Sequence, residues 1–247
     1  MRSVGEVHEI IGRIPYMTIE QAEAISSHIQ ENDIKTVLEL GFYHGASTSY
    51  LANAICDKDD GRVVCVDKER AKTLDPNVEG LLSKLGLREK VDVYYEPTSY
   101  IWRLMKMLEE HEEPKFDLCY LDGAHNWFVD GFAFFLVDRL LKPGGWIIMD
   151  DLNWRYADSV AMRGSETLQE MPDDEVYTYQ LRKVYELIIQ RQPGYGNFRE
   201  EFNWGFAQKI SDFQGSAPHI ETKVVVKERR VGVGEALVKA GRRLGLK

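Results

Sequence analysis

The amino-acid sequence predicts an α/β protein with a Rossmann-like, doubly wound, mostly parallel sheet of seven strands and helices on both faces. Short runs rich in β-branched and aliphatic residues alternate along the chain with segments of helical length. This alternation is typical of strand–helix–strand units, whose parallel strands are covered by the helices that connect them. Several runs end in an acid, and this predicts polar side chains at the carboxyl edge of the sheet, where open α/β folds bind ligands.

Seven segments have the composition of strands. In chain order they are TVLEL, RVVCVD, VDVYYE, FDLCYLD, GWIIMD, NWGFAQKI and ETKVVVKE. Apolar residues at helical spacing predict a leading helix over residues 18–32 and crossover helices over 47–54, 77–85, 100–110 and 127–140. The Lys-Pro-Gly-Gly stretch at 142–145 is a turn signal that ends the last of these helices and starts the fifth strand.

The length of 247 residues favours one domain over residues 1–247, because α/β folds of this size commonly form a single unit. Residues 1–32 are expected to form an N-terminal helical segment. After Asp151 the sequence becomes mixed and polar, and helical spacing returns near residue 176. We interpret residues 152–200 as an insertion over the carboxyl edge of the sheet, and therefore as a candidate substrate lid.

Composition argues against several classes of partner. The net charge of −9 opposes the phosphate attraction that drives most nucleic-acid binding, so no nucleic-acid partner is expected. Apolar runs fall short of the ~20 residues needed to span a bilayer, so no membrane partner is expected either. The N-terminus lacks the apolar core of a secretory signal, and this favours a cytoplasmic location. These features leave open whether the chain forms a homo-oligomer.

Two of the apolar runs end in acids that suit metal-assisted chemistry. KFDLCYLDGAH has Asp122 at the strand end with His125 three residues later, and GGWIIMDD ends at Asp150 and Asp151. Because parallel strands open into one crevice at their carboxyl ends, the three carboxylates and the imidazole are expected to meet there. Hard oxygen ligands beside a titratable base suit a divalent ion and proton removal from a hydroxyl. In the alternative interpretation the acids only end strands, and His125 makes local hydrogen bonds.

The first strand leads into a glycine-bearing loop that suits a nucleoside. VLELGFYHGAS places Glu39 at the strand end, and Gly41 and Gly45 in the turn where the backbone can approach a ligand. The spacing is neither the Gly-x-Gly-x-x-Gly of dinucleotide sites nor the Gly-Lys-Ser/Thr of phosphate loops. RVVCVD ends in Asp67, where an acid can accept hydrogen bonds from ribose hydroxyls. A nucleoside with little phosphate fits best, and a plain strand-to-helix turn is the alternative.

Together, VLELGFYHG, VVCVD, FDLCYLDGAH and LKPGGWIIMDD resemble the class I S-adenosylmethionine-dependent methyltransferases over residues 15–152. The resemblance implies that the acid and glycines of the first loop surround the methionine part of the cofactor, and that the acid of the second strand holds its ribose. The adenine segment of that family commonly reads like Gly-Asp-Ser, whereas this chain has Pro-Thr-Ser at 97–99. The implied cofactor-binding residues are Glu39, Gly41, Gly45, Ser47, Asp67, Thr98, Ser99 and Asp122.

Within that superfamily, Asp-Gly-x-His on the fourth strand and two adjacent acids on the fifth resemble the metal-dependent O-methyltransferases that act on sugar hydroxyls of natural products. Catechol-type enzymes share this metal arrangement. The resemblance implies Asp122, Asp150 and Asp151 as ligands of Mg²⁺ or a similar divalent ion, with His125 as the catalytic base. It therefore implies an enzyme that transfers a methyl group from S-adenosylmethionine to a hydroxyl of a small molecule, such as a sugar-bearing metabolite or another vicinal diol.

Other functions remain open at this point. The chain is alternatively a metal-independent N- or O-methyltransferase, a catalytically silent methyltransferase-like binding module, or an oxidoreductase on a similar sheet. Several residues near the motifs either contact the acceptor or the metal, or have ordinary packing and surface roles. These residues are Tyr43, His44, Trp127, Asn153, Trp154 and Tyr156.

Overall fold

The computed structural model describes residues 1–12, 14–111 and 113–211, which contain one seven-stranded sheet. Its strands are β1 (Thr36–Leu40), β2 (Arg62–Lys68), β3 (Val91–Glu96), β4 (Phe116–Leu121), β5 (Leu141–Met149), β6 (Tyr195–Glu201) and β7 (Trp204–Lys209). The order across the sheet is β3-β2-β1-β4-β5-β7-β6. Strands β1 to β5 are parallel, and β7 runs antiparallel to both of its neighbours. The predicted mostly parallel seven-stranded sheet is confirmed.

Helices cover both faces of this sheet. They are α1 (Val4–Ile11), α2 (Ile19–Glu31), α3 (Ala46–Ile55), α4 (Val78–Leu85), α5 (Tyr100–Glu110), α6 (Trp127–Leu140), α7 (Glu166–Glu170), α8 (Asp173–Tyr177) and α9 (Gln180–Leu187). Helices α1 to α4 share one apolar core, while α5, α6 and α9 share the other, because successive strand side chains point to opposite faces. Among the described residues, none of the helices is long and apolar enough to cross a membrane.

The predicted crossover elements agree closely with the structure. Each of the five predicted helices begins and ends within one residue of α2, α3, α4, α5 or α6. Local signals explain this agreement: Thr18 and Gln21 form a capping box at the start of α2, and the Asn126 side chain caps α6 by accepting the N–H of Val129. The predicted N-terminal helical segment contains both α1 and α2.

The C-terminal pair of strands differs from the sequence prediction. NWGFAQKI forms β7 as expected, but all except the last residue of its hairpin partner β6 (Tyr195–Glu201) lies in the segment that the sequence analysis assigns to the insertion. Strand β6 is the outer strand of the sheet and its side chains are mostly exposed, so its sequence lacks the apolar run that marks a buried strand. The predicted strand ETKVVVKE lies outside the described residues. The lid role of the segment after Asp151 stays a prediction.

The carboxyl ends of the central strands lie side by side. The backbone N–H of Asp122 donates to the carbonyl of Leu40 at 2.9 Å, and the N–H of Asp150 donates to the carbonyl of Leu121 at 2.9 Å. These bonds continue the parallel ladder one residue beyond the ends of β4 and β5. The acids that follow β4 and β5 therefore stand at the same edge of the sheet as the loop that follows β1.

Candidate active site

The loop after β1 turns sharply against the end of β4. Gly41 and Gly45 have φ values of 87° and 95°, which lie in the left-handed region that favours glycine. A Cβ atom on Gly41 would overlap the carbonyl oxygen of Asp122, and a Cβ on Gly45 would lie 2.6 Å from the Cβ of Val78. Both glycines are therefore required by close packing, and Gly45 also precedes the first turn of α3.

Glu39 is fully buried beneath this loop. The hydroxyls of Ser47 and Thr48, in the first turn of α3, donate to its two carboxylate oxygens. Burial raises the pKa of Glu39 to about 8; the two hydroxyl hydrogen bonds oppose this shift, and the charges of Asp122 and Asp67 add to it. Glu39 and Ser47 thus form one hydrogen-bonded unit at the predicted cofactor site, and their direct contact with a cofactor stays a prediction.

Asp67 holds the same loop from the end of β2. Its Oδ2 atom accepts the backbone N–H groups of Phe42 at 3.0 Å and Tyr43 at 2.6 Å. Its Oδ1 atom accepts the N–H of Lys68 at 2.6 Å. The acid predicted to bind ribose therefore also fixes the backbone next to Gly41.

The predicted adenine segment follows β3 at the same edge. Thr98 is exposed, while the Ser99 side chain caps α5 by accepting the N–H of Ile101 at 3.2 Å. The cap thus starts α5 directly after this segment. The adenine assignment of Thr98 and Ser99 stays a prediction.

Asp122, His125 and Asp151 form a group that we call the acidic cluster. The Nε2 atom of His125 lies 3.2 Å from Oδ1 of Asp122 and 3.3 Å from Oδ2 of Asp151. One potential ligand atom from each residue lies within 4.8 Å of those of the other two. The structure thus brings together three of the four residues that the sequence analysis assigns to metal binding and base catalysis.

The electrostatics of the acidic cluster depend on its two carboxylates. Burial lowers the pKa of His125, but hydrogen bonds and negative charge from Asp122 and Asp151 outweigh it and raise the pKa to about 10. The two carboxylates thus favour the charged imidazolium over the neutral ring. The ring of Trp154 lies 4.9 Å from the His125 ring, between centroids, and borders the acidic cluster on one side.

Asp150, the fourth predicted residue, has other partners. Its Oδ2 atom accepts the hydroxyl of Tyr120, and its Oδ1 atom accepts the N–H of Asp151 at 2.6 Å. Burial, together with the charges of Asp122 and Asp151, raises the pKa of Asp150 to about 8. Asp150 is buried and lies outside the acidic cluster, and its role as a metal ligand stays a prediction.

Two polar features of this edge have no counterpart in the sequence analysis. Asn203, in the turn between β6 and β7, donates from Nδ2 to Oδ1 of Asp151 at 3.3 Å. The buried pair Tyr100 and Asp130 contacts the backbone of the turn that carries His125. Sequence spacing contains no signal for these contacts, because the partners are distant along the chain or lie on separate helices.

The remaining candidate residues have mixed roles. Tyr156 is buried and packs against Trp154 with ring centroids 5.0 Å apart, whereas Tyr43 and Trp127 are exposed. His44 contacts the carbonyl of Pro76 through Nδ1 at 2.5 Å and packs edge-on against Tyr43. The side-chain oxygen of Asn153 accepts the Nε–H of Arg182 at 2.9 Å, so that oxygen already has a protein partner.

Comparison with known proteins shows which proteins the chain is similar to. Residues 38–152 match a family model described as a methyltransferase domain. One similar structure is the O-methyltransferase TomG from Streptomyces achromogenes, which is involved in tomaymycin synthesis and was solved in complex with S-adenosylmethionine. Its TM-score is 0.60 at 17% identity, and the match covers 85% of this chain and 91% of TomG. The O-methyltransferase from Bacillus cereus, in complex with S-adenosylhomocysteine, has a TM-score of 0.59 at 20% identity, with 83% and 89% covered. Residues 38–152 are thus similar to a methyltransferase domain, and the chain shares its fold with these two solved O-methyltransferases.

Curated relatives are similar over part of the chain. Tricin synthase 2 from Oryza sativa subsp. japonica is 28% identical over 155 residues, which cover 63% of this chain and 50% of that protein. Caffeoyl-CoA O-methyltransferase from Populus kitakamiensis is 26% identical over 138 residues, which cover 55% and 54%. The chain thus spans about half the length of the curated relatives it matches.

Proposed function

We propose that this protein is an S-adenosylmethionine-dependent O-methyltransferase that uses a divalent metal ion to methylate a hydroxyl of a small molecule. One observation carries the proposal: the acidic cluster lies directly against the predicted cofactor loop. Gly41 of that loop packs on the carbonyl of Asp122, and the Asp122 carboxylate contacts His125. The likeness to O-methyltransferases supports the same reaction class.

The donor set of the acidic cluster fits a divalent ion. Asp122 and Asp151 are partly exposed, and their oxygens are the hard ligands that Mg²⁺ and Mn²⁺ prefer. Such an ion supplies Lewis-acid stabilisation of an ionised acceptor hydroxyl. In this proposal Asp122 and Asp151 would bind the ion, while Asp150, which the sequence analysis also assigns as a ligand, orients Asp151 by accepting its N–H.

His125 serves as the base in this proposal. Its Nε2 atom lies between the two carboxylates, at the place where an acceptor hydroxyl near the ion would release its proton. The charges that keep the imidazole protonated here are those that the ion would balance, so ion binding favours the neutral ring. The base therefore becomes available when the site is loaded.

The cofactor loop orients the methyl donor. S-adenosylmethionine, when bound, supplies the methyl group as a sulfonium. Glu39 and the backbone at Gly41 would surround its methionine part, and Asp67 at the end of β2 would accept its ribose hydroxyls. Holding donor and acceptor at one edge replaces a bimolecular encounter by an intramolecular step, and this alignment provides much of the rate.

The proposed acceptor is a small molecule with two adjacent hydroxyls, as in a sugar or a catechol. Two neighbouring oxygens suit an ion held by a pair of carboxylates, and the Trp154 ring beside His125 offers a flat surface for an acceptor ring. The name of the Populus relative makes a catechol-bearing thioester a sensible first probe.

A metal-independent methyltransferase is the second candidate. The contact between His125 and Asp122, at 3.2 Å, resembles a base oriented by a carboxylate, an arrangement that removes protons without a metal. In that case the Asp151 carboxylate stabilises the imidazolium. The two candidates differ in whether turnover needs the ion.

Methyl transfer from labelled S-adenosylmethionine to caffeoyl-CoA, catechol and simple glycosides tests the proposal, with Mg²⁺ or with chelator. We expect turnover that requires Mg²⁺, and a loss of roughly 100-fold for His125→Ala with cofactor binding retained. Asp92→Asn is the control for a change outside the site, because Asp92 pairs with Arg62 on the surface. Full turnover in chelator would favour the metal-independent candidate, and cofactor binding without turnover on any acceptor would favour a binding module.

A further inference from the structure

We infer that Tyr100 and Asp130 are positioning residues for His125, because this buried pair fixes the turn that carries the imidazole. The catalytic meaning of the inference rests on the proposed function. Its structural part rests on contacts alone. Neither residue belongs to the predicted cofactor or metal set.

The pair is enclosed and holds the backbone on both sides of His125. Asp130 is 0% exposed and Tyr100 is 6% exposed. The Tyr100 hydroxyl donates to Oδ1 of Asp130 and accepts the N–H of Ala124 at 3.2 Å. The second oxygen of Asp130 accepts the N–H of Asn126 at 2.8 Å. The amides that precede and follow His125 are therefore both bound to this pair.

The conformation of the turn explains why such support is needed. His125 has a φ of 56°, a left-handed conformation that is uncommon for a residue other than glycine. Conformations of this kind persist where the surroundings hold them. A Cβ on Gly123 would overlap the Tyr100 hydroxyl, so glycine at this position lets Tyr100 reach the turn. The turn is thus built around the pair.

The electrostatic cost of burying the Asp130 carboxylate also supports the inference. Burial raises the pKa of Asp130, and hydrogen bonds from Tyr100 and from the N–H of Asn126 oppose that shift. Asn126 already caps α6 through its side chain, which accepts the N–H of Val129 at 2.8 Å. The start of α6 therefore does not require the buried carboxylate of Asp130. Fixing the N–H groups on both sides of His125 does require it.

The pair also connects the two halves of the proposed site. Tyr100 is the first residue of α5 and directly follows Thr98 and Ser99, the predicted adenine segment. Asp130 lies on α6, next to the turn that carries the base. Cofactor side and base side thus share one hydrogen-bonded support.

Tyr100→Phe tests the inference because it removes the hydroxyl and little else. Tyr185→Phe is the matched control, since Tyr185 is equally buried and donates its hydroxyl to the carbonyls of Phe206 at 2.8 Å and Arg199 at 3.2 Å, outside the proposed site. Hydrogen exchange of a peptide spanning residues 122–128 should become about 10-fold faster in Tyr100→Phe and stay unchanged in Tyr185→Phe. This readout requires no activity.

Activity and Mn²⁺ binding give the second readout. Tyr100→Phe should lower kcat by about 10- to 100-fold and weaken Mn²⁺ binding, because the imidazole and carboxylate lose their alignment. Tyr185→Phe should change both by less than about 2-fold. Asp130→Asn should change kcat and Mn²⁺ binding in the same direction as Tyr100→Phe, since a carboxylate accepts hydrogen bonds at both oxygens and an amide has only one accepting oxygen. Asp130→Asn is the variant to use if Tyr100→Phe does not fold.

The outcomes separate this inference from the proposed function. If the wild-type protein has no metal-stimulated turnover, the proposed function is wrong, and the exchange comparison alone decides whether the pair fixes the turn. If Tyr100→Phe and Tyr185→Phe have equal effects on exchange, and on turnover where turnover exists, the pair is ordinary core and the inference is wrong.

Discussion

Gly41 and Asp122 meet through their backbones, so closely that a Cβ atom on Gly41 would overlap the Asp122 carbonyl oxygen. This contact joins the loop after β1 to the end of β4, where the acidic cluster begins. Because Asp67 also holds the loop through two backbone amides, the loop has little freedom to shift away. A shift of the predicted cofactor loop would therefore also shift the end of β4, where the acidic cluster begins.

Gly41→Ala should disrupt both sites together. The new methyl group meets backbone rather than a flexible side chain, so the loop or the end of β4 must move. We expect cofactor affinity to fall by more than about 10-fold and the protein to lose at least ~2 kcal/mol of unfolding free energy. Calorimetry with S-adenosylhomocysteine and urea unfolding measure the two effects.

Gly86→Ala is the matched control for that substitution. Gly86 also has a positive φ, 67°, but a Cβ there meets nothing within 4 Å. It should cost only about 1 kcal/mol and leave cofactor affinity unchanged. Equal effects of the two substitutions would mean that backbone conformation, and not the contact with Asp122, makes Gly41 necessary.

Asp150 and Asp151 should differ in their effect on metal binding. Asp151→Asn changes a carboxylate of the acidic cluster and should weaken Mn²⁺ binding by more than about 10-fold. Asp150→Asn should weaken it less, because the Asp150 oxygens already accept from Tyr120 and from the N–H of Asp151. Calorimetric titration of both variants, with Asp92→Asn as control, measures the difference. Equal losses would identify Asp150 as a ligand.

Glu39 should make stability fall as the pH rises from about 4.5 to about 8. Its pKa is about 8 in the folded protein because of burial, well above the value of an unfolded glutamate, so the folded state keeps a proton that the unfolded chain releases. This contribution to stability is present at pH 4 and is lost as the pH rises towards 8. Urea unfolding without cofactor should show Glu39→Gln to be less sensitive than the wild type between pH 6 and 9. Parallel curves for the two proteins would contradict the assignment.

His28 should have the opposite effect at acidic pH. It is buried on α2 between Trp146 and Phe206, and burial, reinforced by the charge of Arg199, lowers its pKa to about 4. The unfolded chain therefore binds a proton that the folded protein excludes, and stability falls as the pH drops from about 6.5 towards 4. Between pH 7.5 and 5 this amounts to about 2 kcal/mol.

The variant His28→Phe tests this contribution. It keeps an aromatic ring beside Trp146 and Phe206 and removes the titrating group. Its unfolding free energy should decline less than that of the wild type over the same acidic range. An equal decline would assign the acid sensitivity to other groups.

The fold was predictable because its signals are local. Capping residues such as Thr18 and Asn126 mark helix starts, and buried parallel strands read as apolar runs. The error at β6 has the same origin: an outer strand with exposed side chains carries no apolar run, so its sequence resembles a loop. Its place in the sheet depends on pairing with β7, which a local pattern does not contain.

The sequence by itself determined which acids and which histidine reach the carboxyl edge, since strand ends and parallel order follow from local pattern. Only the tertiary structure decided how those side chains pair. Asp122 and Asp151 meet His125, while Asp150 bonds to Tyr120, a residue 30 positions away. The support of His125 by Tyr100 and Asp130 likewise joins two helices. Hydrogen bonds form between side chains that are close in space. Packing of strands and helices determines which side chains are close, and the separation of two residues along the chain does not indicate their distance in space.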